Sequence, residues 1–83
     1  MELKAGMLVR SKKGRDKNCI YIIISVKDEY VYLADGDVKP LCHLKKKNQK
    51  HIQPIKKAGF TLITDNEVIK ESIERYEKRD TRK

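Results

Sequence analysis

Apolar and polar residues alternate in short runs through most of the chain, and apolar residues recur at helical spacing only near its end. MLVRS, residues 7 to 11, alternates after Gly6 and predicts a short strand. CIYIIISV, residues 19 to 26, is rich in β-branched side chains and predicts the strongest strand. Lys27, Asp28 and Glu29 then turn the chain into YVYLA, residues 30 to 34. Asp35-Gly36 is the best hairpin signal, because a type I′ turn needs φ > 0 and glycine supplies it without strain. DVKPLCHL, residues 37 to 44, is the expected return strand, with Pro40 marking an edge or an end. KKKNQK, residues 45 to 50, breaks the pattern, and HIQPI gives a last short strand around Ile52.

No long helix interrupts these strands, so the sheet is expected to be antiparallel and meandering. Five short strands with tight turns suit a small barrel, which also removes exposed edges. In the second strand Ile22, Ile24 and Val26 are expected to face the interior, leaving Tyr21 and Ile23 outside. The C-terminal part reads differently. Thr64 followed by Glu67 is a capping-box pattern, and Ile69, Ile73 and Tyr76, with Val68 beside them, keep helical spacing. Glu71 with Arg75 and Glu74 with Lys78 stand at i,i+4 in the favourable order. The pattern predicts an amphipathic helix over 65–78 that covers Tyr21 and Ile23, with the last five residues frayed.

Length narrows the function. Eighty-three residues make one small domain with a thin core and little room for an enclosed active site. Two cysteines, Cys19 and Cys42, are too few for a secreted disulfide framework. The N-terminal MELKAGMLVRSKK lacks the apolar stretch of a signal peptide. The longest apolar run, IYIII, is far too short to span a bilayer, so no membrane role is expected. The expected compartment is the cytoplasm, with both thiols reduced.

Charge sharpens the picture. Of the net charge of +8, residues 1–37 carry +1, residues 38–63 carry seven lysines and no acid, and residues 64–83 net to zero. Charge kept for solubility would be spread out, whereas a footprint for a polyanion is clustered in this way. SKKGRDKN, residues 11 to 18, adds Lys12, Lys13, Arg15 and Lys17 around Gly14 and a single acid, Asp16. Lysines engage phosphates as point charges without reading bases. A solvated lysine-rich loop is the bland alternative.

Gly6, MLVRS, the loop Gly14-Arg15-Asp16-Lys17-Asn18 and the apolar strand after it resemble a KOW motif, found in ribosomal proteins and transcription elongation factors with SH3-like barrels. The departure is Asn18, where glycine is commoner; Asn tolerates the left-handed region best among the other residues. The segment from Asp35-Gly36 through the lysines of 45–50 to His51-Ile52-Gln53 is similar to the second half of a group of eukaryotic and archaeal large-subunit ribosomal proteins. The resemblance covers about residues 4–54. It implies a mainly β fold, an SH3-like five-stranded antiparallel barrel over residues 1–58, followed by a helical extension over 59–83.

The implied function is non-enzymatic binding of RNA, ribosomal RNA above all, in translation. The rival readings are an adaptor barrel docking an acidic protein and a DNA-associated elongation module. The expected footprint joins Lys12, Lys13, Arg15 and Lys17 to Lys39, Lys45, Lys46, Lys47, Lys50, Lys56 and Lys57. His51 is a further candidate for a phosphate or base contact, and Tyr32 for base stacking. Gly14, Asn18 and Gly36 are expected to shape turns. Cys19, Cys42, His43 and His51 lack a C-x-x-C pair, and Cys42 and His43 would point to opposite faces of a strand, so no metal site is expected. Asp16, Asp35 and Asp37 fall at turns and the four glycines are dispersed, so neither a catalytic triad nor a phosphate loop is read; no cofactor or small-molecule substrate is expected.

Overall fold

The computed structural model describes residues 3–55 and 59–80. It is mainly β: one five-stranded antiparallel sheet and one C-terminal helix. The strands are β1 (Leu8–Ser11), β2 (Ile20–Lys27), β3 (Tyr30–Ala34), β4 (Lys45–Asn48) and β5 (Ile52–Pro54), and the helix is α1 (Asn66–Asp80). Their order across the sheet is β4-β3-β2-β1-β5, so β4 and β5 lie at the two edges and the sheet is not closed. A single 3-10 turn, Gln49–His51, is all that separates the end of β4 from the start of β5. No helix among the described residues is long and apolar enough to cross a membrane.

The return strand is not DVKPLCHL. Residues 35–44 form a loop, and β3 pairs instead with the lysine segment, in the register Leu33↔Lys45, Tyr32↔Lys46, Val31↔Lys47 and Tyr30↔Asn48. Gly36 stands at φ +80, as the hairpin reading required, but for a different purpose. A Cβ there would collide with the backbone of Asn66 and crowd Lys70, so the missing side chain lets the loop press against the first turn of α1. The Asn66 side chain also accepts a hydrogen bond from the Leu41 N–H at 2.7 Å. Asp35 folds the loop on itself, accepting from the backbone N–H groups of Asp37 and Lys39 at 2.9 and 2.8 Å.

The sheet buries residues on both faces. On one face Leu8, Ile20, Ile22 and Ala34 meet Ile69 and Ile73 of α1, with Ile24, Leu41, Leu44, Ile55, Ile63 and Tyr76 around them. On the other, Val9, Tyr21, Ile23, Val31, Leu33 and Ile52 form a cluster without helical members. The helix thus covers the Ile22 face and not the Tyr21/Ile23 face, the reverse of the sequence reading. The reason lies in β2, which is apolar on both sides, and in a bulge. Ile23 opposes Leu33 while Ser25 opposes Tyr32, so Ile24 is an extra residue that flips the parity of the strand. Beyond the bulge Val26 is exposed.

The helix starts one residue later than expected and runs two further. Its cap is Asp65, whose carboxylate accepts the Val68 N–H at 2.9 Å, in place of Thr64. Among the described residues Glu71 and Arg75 do not close an ion pair.

Candidate nucleic-acid interface

The basic loop between β1 and β2 is shaped by its backbone. Gly14 and Asn18 stand at φ +91 and +76, in the left-handed region. The Lys17 N–H returns to the Gly14 carbonyl at 3.2 Å and the Cys19 N–H to the Asp16 carbonyl at 2.9 Å. Ser11 closes the base, donating its N–H to Cys19 and accepting that of Asn18. The Lys12 N–H reaches the His51 carbonyl at 2.8 Å, which ties the loop to the 3-10 turn.

The single acid of the loop organises everything around it. Lys47 Nζ donates to Asp16 Oδ1 at 2.8 Å and to the Lys13 carbonyl at 2.9 Å. The Tyr21 hydroxyl donates to Asp16 Oδ2 at 3.1 Å. The buried Ser11 hydroxyl lies 3.1 Å from both Asp16 Oδ1 and the Lys13 carbonyl. Lys45 Nζ sits 3.6 Å from Oδ2. Burial works against ionising this carboxyl, but the hydrogen bonds from Lys47, Tyr21 and Ser11 and the charge of Lys45 outweigh it, and its pKa falls to about 2. Burial, then the bond to Asp16, holds the Tyr21 hydroxyl well above the usual phenol range.

This arrangement divides the candidate cations into kinds that their uniform spelling hides. In β4 alternate side chains take opposite faces. Lys45 and Lys47 share the face of Leu33 and Val31 and turn to Asp16, and the Lys47 side chain is only 10% exposed. Lys46 takes the other face and lies over the Tyr30 ring, 4.3 Å from its centroid. Lys12, Lys13, Arg15 and Lys17 are exposed, and no ion pair engages them among the described residues. Lys50 is exposed beside half-buried His51, which closes the 3-10 turn and does not open a strand. The loop and the lysine strand are therefore drawn together at one corner of the sheet.

Three other candidates stand apart. Lys39 belongs to the loop that packs on the start of α1. Tyr32 is half-buried on the face of Ala34, directly across from Lys46. Lys56 and Lys57 lie outside the described residues. Sequence reasoning missed the roles of Ser11, Asp16 and Tyr21. The available signal was one carboxylate among four cations, flanked by strand positions of equal parity, 11 and 21, that carry hydroxyls.

Both cysteines are exposed and unbonded, and no group of three or more potential metal ligands occurs among the described residues. No protein-family model matches the chain, and no curated protein matches it.

Proposed function

We propose that the chain is a non-enzymatic RNA-binding protein of the KOW type, holding ribosomal RNA by its phosphates. The observation that carries this reading is the Asp16 lock. It pairs with Lys47 and Lys45, offsets one of their two charges against the loop, and so presents Lys12, Lys13, Arg15 and Lys17 together on a hydrogen-bonded turn beside Lys50. Four unpaired cations at close quarters cost stability unless an anion lies against them. Backbone recognition without base reading suits structured RNA, whose shape and phosphates carry most contacts. With Tyr30 under Lys46 and Tyr32 half-buried, base stacking is a minor contributor.

The fold supports the same reading. Among the described residues nothing helical covers the Val9/Tyr21/Ile23/Val31/Leu33/Ile52 cluster, where Leu3 and Met7 pack, yet Val9, Ile23, Val31 and Leu33 are fully buried. A sheet that shields its own face must coil strongly, and the 3-10 turn brings its two edge strands to one corner. We read this as an open form of the SH3-like barrel that KOW proteins use.

The test is RNA affinity across a salt series for wild type and for a variant with Lys12, Lys13, Arg15 and Lys17 all changed to Gln. The salt slope should flatten by roughly 0.7–0.9 for each phosphate that the variant no longer neutralises. An unchanged slope would mean that these side chains only keep the protein soluble. Crosslinking in cells, with sequencing of the attached RNA, then identifies the ligand.

A further inference from the structure

Away from the basic corner, the segment 60–62 and α1 enclose a groove of about 290 Å³. Leu8, only 2% exposed, contributes to its wall, with Val68, Ser72 and Tyr76 from the helix. Its other wall carries Phe60 and Leu62, which are 67% and 80% exposed. The segment is held as an extra extended piece against the start of β1, by a bridge between Phe60 and Met7 and by the Thr61 N–H to the Gly6 carbonyl at 2.8 Å. Two large apolar side chains are thus fixed in water beside the hollow that would receive side chains of their kind. Single exposed apolar residues need no explanation, but a projection and a matching hollow in one patch do.

The charges at the groove suggest the occupant. Glu71 and Arg75 both line it, one helical turn apart, exposed and without an ion pair to each other. An acid and a base placed side by side form a self-complementary pair under two-fold rotation, since each meets its opposite on a second copy. A patch that offers both projection and hollow, and both acid and base, fits itself.

We propose that this groove is the interface of a two-fold homodimer, in which Phe60 and Leu62 of each copy enter the groove of the other and Glu71 faces Arg75 across the axis. A dimer joined at one groove should be weak and concentration-dependent, since stable assemblies bury ~1,000 Å² or more.

Sedimentation equilibrium on nuclease-treated full chain, from micromolar to millimolar, tests this. Wild type should rise from monomer towards twice its mass. Glu71→Arg alone and Arg75→Glu alone should each place like charges across the axis and remain monomeric at concentrations where wild type pairs. An equimolar mixture of the two variants should recover association, because each supplies the charge that the other has lost. Phe60→Ser combined with Leu62→Ser should abolish pairing in every combination, with circular dichroism confirming the fold. A wild-type chain that stays monomeric throughout would overturn the proposal and leave the groove to a different protein. So would single variants that associate as wild type does, or a mixture no better than its components.

Discussion

The two faces of this sheet are closed by different means. The Ile22 face is covered in the ordinary way, by a helix that lays Ile69 and Ile73 across it. The Val31 face has no helix over it among the described residues; Leu3 and Met7 pack against it and, at the corner, a polar plug closes it in which Asp16 gathers Ser11, Tyr21, Lys45 and Lys47. The first closure draws on burial of apolar area, which tolerates small shifts. The second depends on a few charge-assisted hydrogen bonds that are strong when complete and costly when broken. The same plug aims the exposed cations of the loop, so the face with the more demanding closure is also the one tied to the proposed function.

That contrast can be broken from either side. Removing the centre of the plug should have the largest effect. Asp16→Ala leaves the Lys47 ammonium, whose side chain is 10% exposed, with only the Lys13 carbonyl, and is expected to cost about 3–4 kcal/mol, read as a lower urea midpoint. Ile69→Ala attacks the other face. Ile69 is fully buried, and its truncation should cost about 2–3 kcal/mol, near the low end for such changes because the helix can settle into the space. The two effects should add, since they fall on opposite faces without shared partners.

Acid should open the plug and spare the helical face. The folded-state pKa of Asp16 is about 2, against an ordinary value of 3.8. A carboxyl lowered in the folded state contributes stability that is fully present above its unfolded pKa and is lost as pH falls through its folded pKa. The contribution is roughly 2 kcal/mol, fully present above about pH 4, mostly lost by pH 2 and gone only below it. Across pH 5, 3 and 2 the gap in urea midpoint between wild type and Asp16→Ala should narrow steadily, by roughly 2 kcal/mol in all, whereas Ile69→Ala should keep its deficit throughout.

The smallest effect separates neighbours in the lysine triplet. Lys46→Gln removes a surface cation and its contact with Tyr30, and should change stability by no more than about 0.5–1 kcal/mol. Lys47→Gln leaves Asp16 without its shortest partner and should cost clearly more in the same urea measurement. Equal effects would mean that the alternation in β4 does not govern which lysine is structural.

Much of the fold was legible because three of the strands and the helix obey simple periods. The first three strands and α1 appear close to where alternation and helical spacing put them. β4 was hidden for a physical reason. Its inward positions are lysines, whose burial depends on an acid that lies 29 and 31 residues earlier in the sequence, so no local hydrophobic pattern can reveal it. The same gap let Asp35-Gly36 pass for a hairpin, when Gly36 serves the contact with Asn66 and Lys70. The two faces of β2 were exchanged because both are apolar and both are buried, Ile22 on one and Tyr21 with Ile23 on the other, and a bulge leaves no local mark. At the candidate site the exposed cations of the loop were readable from clustering, while the network that fixes them was not.

Among the described residues the open sheet leaves β4 and β5 as unpaired edges, which in a small, charged protein are a standing invitation to aggregation. Here each edge is unsuited to templating a stray strand. β4 is a run of three lysines of which Lys45 and Lys47 share one carboxylate, so a second copy aligning there would still bring an excess of like charge into register. β5 is three residues long and ends in Pro54, which has no N–H to offer an incoming chain. Solubility during synthesis and refolding should therefore depend on the lysine edge as much as on overall net charge, and a partner that masked those lysines would remove the protection along with the charge.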